Sequence, residues 1–338
     1  MPTKRDAPTM SDVAKLAGVT AMTVSRALSG NGLVSERTRQ KITEAADALG
    51  YVFDSTAAVF ASGKSGFVAV VVPTLNNSNF ADTIRGITEG LSSTRLQVLL
   101  SYTDYDAEQE ERVIRSLLTR RPEAIVITEG LHTDRSRKLL LGARIPVVEM
   151  WGAPTEPVQH VVGFSNREAG ARMAEYLLGK GHRKITFVGG DSKRDTRGLE
   201  RYLGYKQVME DAGLKARLVK HGKAPIGMRH GEGALARLLT VRADTEAVLC
   251  VSDLLAFGML ASCQRQGIDV PGRLAIAGFG NYDVAQHCVP GITTLDFYPR
   301  DMGLAIANRV RQLLGHSADS QSTTLLLTDF EVVQRESA

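Results

Sequence analysis

The stretch TMSDVAKLAGVTAMTVSRAL at residues 9–28 reads as helix, tight turn, helix. Thr9 stands where a helix cap belongs, and Asp12 three positions on completes a capping-box pattern. Val13, Leu16 and Ala17 share one face at helical spacing and are expected to pack inward. Gly18 supplies the left-handed backbone that ends a helix at little steric cost. Val19 fills the corner, and Thr20 caps a second helix whose Val24 and Leu28 point to the core. Ala21, Met22, Ser25 and Arg26 stay outside. They offer hydrogen-bonders, an apolar contact for a thymine methyl, and an arginine for guanine or phosphate. A third helix runs from its cap Ser35 through Leu49, with Ile42, Ala45, Ala46 and Leu49 inward and Gly50 as the stop. This geometry sets one helix into a DNA groove. Charge adds little to it: residues 1–64 hold eight Lys/Arg and six Asp/Glu, a net of +2, modest for a DNA binder.

The 338 residues exceed what such a head-piece needs and leave enough chain for a large α/β core. From residue 66 short β-branched runs (67–73, 97–103, 124–128, 147–151) alternate with helical-period segments (80–93, 107–120, 133–142). The rhythm restarts at 160–165, 184–190, 217–222, 247–252 and 274–280. Two βαβ units of this kind predict a bilobed body with two doubly wound parallel sheets. Ligands of such sheets sit beyond the carboxyl ends of the strands, so two facing lobes make a cleft. The residues just after strands are Asn76 to Phe80, Thr128, Glu129, His132, Glu149, Trp151, Phe164, Asn166, Ser252, Asp253 and Asn281. Lys193, Arg194, Arg197 and Arg201 follow the run at 184–190; the first three read as solvated loop charges. Amides, hydroxyls, carboxylates and a few aromatics suit a polyhydroxylated ligand.

The chain resembles the LacI/GalR family in DVAKLAGVTAMTVSRAL at 12–28, VSERTRQKITEAADALGY at 34–51 and ASGKSGFVAVVVP at 61–73. The resemblance implies an all-α helix-turn-helix head-piece joined to a periplasmic-binding-protein-like body, working as a homodimer on a pseudo-palindromic operator. Base contacts would fall on Ala21, Met22 and Arg26, and backbone contacts on Thr20, Thr23, Ser25, Ser35 and Thr38. The family's hinge helix, which orders in the minor groove, matches 54–64, with Ala57 and Phe60 toward the DNA and Phe60 where many members carry a leucine wedge. The implied domains are 1–50, a hinge and linker at 51–65, and a body at 66–338. Lobe 1 spans 66–163 and 294–326, and lobe 2 spans 164–293 and 327–338; the last strands (292–297, 323–336) cross between them. Effector contacts carry onto Asn79, Phe80, Thr128, Glu149, Phe164, Arg201 and Ser252, and the cleft reading adds Glu129, Asp253 and Asn281.

Two departures bear on the effector. Gly278-Phe279-Gly280-Asn281 lacks a carboxylate that many sugar- and purine-binding members have, and Ala224-Pro225-Ile226-Gly227 stands where several place an aromatic platform. Loss of a negative charge while Arg201 is kept favours an anion. The segments ITEGLHT (127–133), VVEMW (147–151), VGFSN (162–166) and CQRQGIDVPGRLAIAGFG (263–280) are similar to the gluconate-operon repressor branch. That similarity implies gluconate or 2-ketogluconate, with Arg201 clamping the carboxylate and Glu149, Thr128 and Asn281 holding hydroxyls. A neutral sugar or purine effector is the nearest alternative, and a solute-binding protein the alternative of another class.

Enzyme chemistry has no carrier here. No strand leads into G-x-G-x-x-G, no P-loop motif occurs, and the seven histidines lack metal spacing. No cofactor or metal is expected. No apolar run approaches a membrane span, and the start does not read as a secretory signal. Cys250, Cys263 and Cys288 read as free thiols of a reducing cytoplasm. The dimer surface is expected on apolar residues of Phe80 to Leu91 and Val113 to Leu118, and tetramers are not expected, for want of a heptad tail.

Overall fold

Capping decides where the helices of the head-piece begin. In the computed structural model, which describes residues 7–29, 33–53, 65–130, 132–190, 194–315 and 324–338, the Asp12 carboxylate accepts from both the Thr9 amide (2.9 Å) and its hydroxyl (2.7 Å) at the start of α1 (Met10–Ala17). Thr20 Oγ1 accepts from Thr23 N (3.2 Å) at the start of α2 (Ala21–Leu28). Ser35 Oγ accepts from Thr38 N (3.3 Å) at the start of α3 (Glu36–Leu49). Gly18 and Gly50 close α1 and α3 at φ 68° and 65°, where a Cβ would be strained. The three helices enclose Val13, Ala14, Val24, Ala27, Ile42, Ala45 and Ala46. Two expectations are corrected: Leu16 is 58% exposed and Leu49 is also exposed. The helices approach closely on alanines, so the inward stripe of α1 passes through Val13 and Ala14 and turns Leu16 outward. The hinge segment with Ala57 and Phe60, and Lys193, lie outside the described residues.

The chain divides into two units, Met1–Ser65 and Gly66–Ala338. In the second, strands and helices alternate as β1 (Phe67–Val72), α4 (Ser78–Leu91), β2 (Gln97–Tyr102), α5 (Ala107–Thr119), β3 (Ala124–Thr128), α6 (Asp134–Gly142), β4 (Val147–Met150) and β5 (His160–Gly163). The second run is α7 (Asn166–Gly179), β6 (Ile185–Gly189), α8 (Thr196–Asp211), β7 (Leu218–Lys220), α9 (Gly231–Val241), β8 (Ala247–Cys250), α10 (Asp253–Arg265), β9 (Ala275–Ala277) and α11 (Asp283–His287). The chain then crosses back through β10 (Thr294–Asp296), α12 (Pro299–Gly315), β11 (Leu325–Leu327) and β12 (Glu331–Val333).

The first sheet orders as β11-β5-β4-β3-β1-β2 and the second as β7-β6-β8-β9, each paired in parallel throughout. Helices on both faces bury β3, β4, β5 and β6 along their whole length, as parallel sheets require. The order reverses at β1 in one sheet and β6 in the other, and those switch points open the crevices that take ligands. The expected last strand is two: β11 joins β5, and β12 pairs antiparallel with β10 in a crossover between lobes.

Glycines set how closely paired helices approach. A Cβ on Gly86 of α4 would strike the Arg300 carbonyl of α12, and one on Gly204 of α8 the Arg167 carbonyl of α7. The apolar residues expected to form a dimer surface are used inside: Phe80, Ile87 and Leu91 lie under α12, and Ile114 and Leu117 pack on the first sheet. Leu75, Leu100 and Tyr102 are exposed instead.

Candidate effector cavity and nucleic-acid interface

The face of α2 carries the head-piece's free chemistry. Met22 is 64% exposed, and Thr20, Ala21 and Arg26 are exposed beside it. Thr23 and Ser25 are half-buried. The caps bring hydroxyls together at helix N-termini: Thr20 and Thr23 Oγ1 are 2.9 Å apart, and Ser35 Oγ and Thr38 Oγ1 are 2.8 Å apart. Hydroxyls at positive helix ends suit phosphate. Arg39 Nη1 donates to the Ala27 carbonyl (2.6 Å), tying α3 to the end of α2.

In the body a cavity of about 380 Å³ opens between the lobes. Asn79, Phe80 and Trp151 line it from lobe 1, with Arg197, Arg201 and Ser252 from lobe 2. Ala224 to Gly227 form a wall with no aromatic among them, and Met228 and Arg229 continue it. The lobes are bonded across both flanks: Asn79 Nδ2 donates to the Gly280 carbonyl (2.6 Å) and Arg197 Nη1 to the Glu129 carbonyl (2.6 Å).

Arg201 is the most heavily constrained cation. The close α7–α8 crossing at Gly170 and Gly204 fixes its backbone. Its Nε donates to Asn166 Oδ1 (2.8 Å), its Nη1 to the Val251 carbonyl (2.8 Å), and its guanidinium lies 3.6 Å over the Phe279 ring. All those partners are uncharged. Burial holds the Arg201 pKa down to about 10, and Arg197 one helical turn away adds to the effect. Arg197 is itself buried, with 6% exposure, which corrects its reading as a solvated loop charge. Two buried like charges one turn apart are unfavourable unless something negative arrives. The cavity's carboxylate, Asp195, already caps α8 by accepting from Gly198 N (3.0 Å).

Trp151 contributes a second unmet group. It is 3% exposed, sits at φ 72° and packs against Phe80 and Phe297 at 4.5 and 4.6 Å between ring centres. Its indole Nε1 has no hydrogen-bond partner among the described residues. A buried donor without an acceptor costs free energy that a ligand oxygen relieves.

Six expected effector residues do not line this cavity. Thr128 and Glu129 line an adjoining one. Glu149 accepts from Val158 N and stands 3.4 Å from His132 Nε2. Phe164 lies inside an aromatic stack with Phe297 at 4.8 Å. Asp253 accepts from Thr294 Oγ1 (2.6 Å) and Tyr282 N (2.9 Å), and burial pushes its carboxyl up to about 6. Asn281 donates to Asp296 (2.8 Å) and accepts from Arg335 (2.6 Å). For these four, internal partners have taken up the polar atoms, or the ring is walled off. Tyr105, Asp195 and Arg197, absent from the expected set, take their places. The i, i+4 spacing of Arg197 and Arg201 was the available signal for one of them.

Comparison with known proteins agrees over the whole chain. Residues 9–54 match the model of bacterial regulatory proteins of the lacI family, and residues 174–338 that of a periplasmic binding protein-like domain. The chain is 33% identical over 308 residues to the HTH-type transcriptional regulator GntR of Escherichia coli, covering 91% of this chain and 92% of that one. It is 30% identical over 315 residues to the regulator IdnR of the same species, covering 93% and 94%. Among solved structures, a LacI family transcriptional regulator from Silicibacter pomeroyi superposes with a TM-score of 0.87 at 32% identity, covering 98% and 99%.

Proposed function

The chain belongs to the lacI family of bacterial regulatory proteins, as a DNA-binding transcriptional regulator and not an enzyme, and from that premise we propose a repressor of sugar-acid catabolism genes whose effector is a small anionic polyol such as gluconate or 2-ketogluconate. One observation carries the reading: Arg197 and Arg201 are buried side by side in the cavity and bonded only to uncharged oxygens. An anion between them completes the charge balance. The expected bidentate grip by Arg201 alone gives way to a clamp of two arginines, because Arg201 Nε and Nη1 are already taken. Trp151 Nε1, Asn79 and Ser252 then meet the hydroxyls. The likeness to GntR and IdnR supports the same direction.

In this reading the protein acts in the cytoplasm as a homodimer, with one head-piece on each half of a pseudo-palindromic operator. Ala21, Met22 and Arg26 read bases; Thr20, Thr23, Ser25, Ser35 and Thr38 hold the backbone; Ala57 and Phe60 enter the minor groove. The effector bridges the lobes and changes the relative placement of the two hinges. A coupling of about 1–3 kcal/mol changes operator affinity roughly 5–150-fold. Calorimetry with gluconate, 2-ketogluconate, glucose and guanine tests the effector class. The sugar acids are expected to bind, and binding of only glucose or guanine would overturn the assignment.

A further inference from the structure

Beside the arginine cavity lies a second, of about 290 Å³, at the carboxyl ends of β1, β2 and β3. Tyr105 and Arg197 line both cavities and so form the partition between them. Asp104 and Tyr105 hold φ of 51° and 58°, a left-handed turn that side chains rarely adopt. That turn carries Tyr105 to the partition.

The second cavity differs in charge. The first gathers Arg197, Arg201 and Arg229 against Asp195 alone. In the second, each carboxylate has a cation beside it. Asp106 lies 3.8 Å from Arg194, Glu110 is 2.7 Å from His132 Nδ1, and Glu108 at the rim is 3.9 Å from Arg112. Burial pushes the Glu129 carboxyl up, and the charge of Arg197 offsets part of that rise. The lining thus presents carboxylate acceptors, guanidinium donors and hydroxyls with little excess charge.

It also holds an unmet group. Thr103 is 6% exposed and lines this cavity, and its hydroxyl makes no hydrogen bond among the described residues. Thr128, also 6% exposed, donates from its hydroxyl to the Val71 carbonyl (3.2 Å) and retains acceptor capacity. A buried hydroxyl next to paired charges suits a ligand that both donates and accepts without net charge.

We propose that this cavity is a separate site for a neutral polyol, occupied together with the anion site, with Thr103, Thr128, Glu110 and Glu129 as its hydrogen-bonding groups. Two of its walls come from opposite lobes, through Arg194–Asp106 and Arg197–Glu129. Occupancy therefore bears on the same lobe closure as the first ligand. The site does not rest on the sugar-acid reading.

Titration calorimetry on the full chain tests it, with D-glucitol and D-glucose as probes, alone and with saturating gluconate. At least one probe is expected to bind once per chain in both conditions. Thr103→Val should weaken that binding about tenfold while gluconate binding stays unchanged. Glu129→Gln, which keeps shape and removes charge, should weaken it similarly and carries the test if Thr103→Val does not fold by circular dichroism. Absence of binding by both probes overturns the proposal. So does full displacement by gluconate, or indifference of the folded variant. If gluconate fails to bind, the anion reading falls, and the probe titrations with both variants still decide this one.

Discussion

The head-piece and the body present their chemistry in opposite ways. On α2 the groups suited to DNA are those the core leaves outside: Met22, Arg26 and the capping hydroxyls. In the body the groups suited to a ligand are buried: Arg197, Arg201, Trp151 and Thr103 are all under 10% exposed. A duplex is a large surface and is met by projecting side chains, whereas a small polar molecule must be enclosed to replace the water it loses. Signals of function differ accordingly. Exposure marks the first region, and incompletely satisfied burial marks the second.

Four substitutions or conditions break or sharpen that contrast. The largest effect belongs to the body's scaffold. Gly204→Val drives a side chain into the Arg167 carbonyl, which cannot move without parting α7 from α8. We expect a loss of about 3 kcal/mol or more, read as a lower denaturation midpoint of the body in urea. Next, Arg201→Met keeps the stem over Phe279 and removes the charge. Sugar-acid affinity should fall by about 2–4 kcal/mol by calorimetry, with effector-free operator binding retained. Arg26→Ala should do the reverse. It weakens operator binding by about 1–3 kcal/mol with relaxed sequence preference in a gel shift, and leaves gluconate binding intact.

The fourth is a pH effect confined to the body. Burial alone would lower the His132 pKa, but the Glu110 and Glu149 carboxylates raise it to about 9. The folded value lies above the unfolded 6.5, so its stabilisation is complete below about pH 6.5 and is lost as pH rises through about 9. Unfolding free energy should drop on the order of 2 kcal/mol between pH 7 and 9.5, and His132→Gln should flatten that slope in urea titrations.

How legible each region was follows from the range of its contacts. Thr9, Gly18, Thr20, Ser35 and Gly50 act within one turn of themselves, so the head-piece could be read directly from neighbours in sequence. Leu16 and Leu49 could not, because the buried stripe is chosen by the other two helices. In the body the alternation of strands and helices was plain, and so was the position of ligand-facing loops after strands. The particular side chains were not. Arg197 is buried by a carbonyl from the opposite lobe, and Asp253 and Asn281 are taken up by Thr294, Asp296 and Arg335 far along the chain. The expected final strand broke because its two halves find partners in different sheets.

The most direct test is quantitative footprinting of the full-length protein on its upstream DNA, with and without gluconate, beside Arg201→Met. The account predicts a two-fold symmetric protected site whose affinity shifts roughly 5–150-fold with gluconate in the unaltered protein and not in the variant. Equal affinity with and without gluconate in the unaltered protein, or an undiminished shift in Arg201→Met, would contradict it.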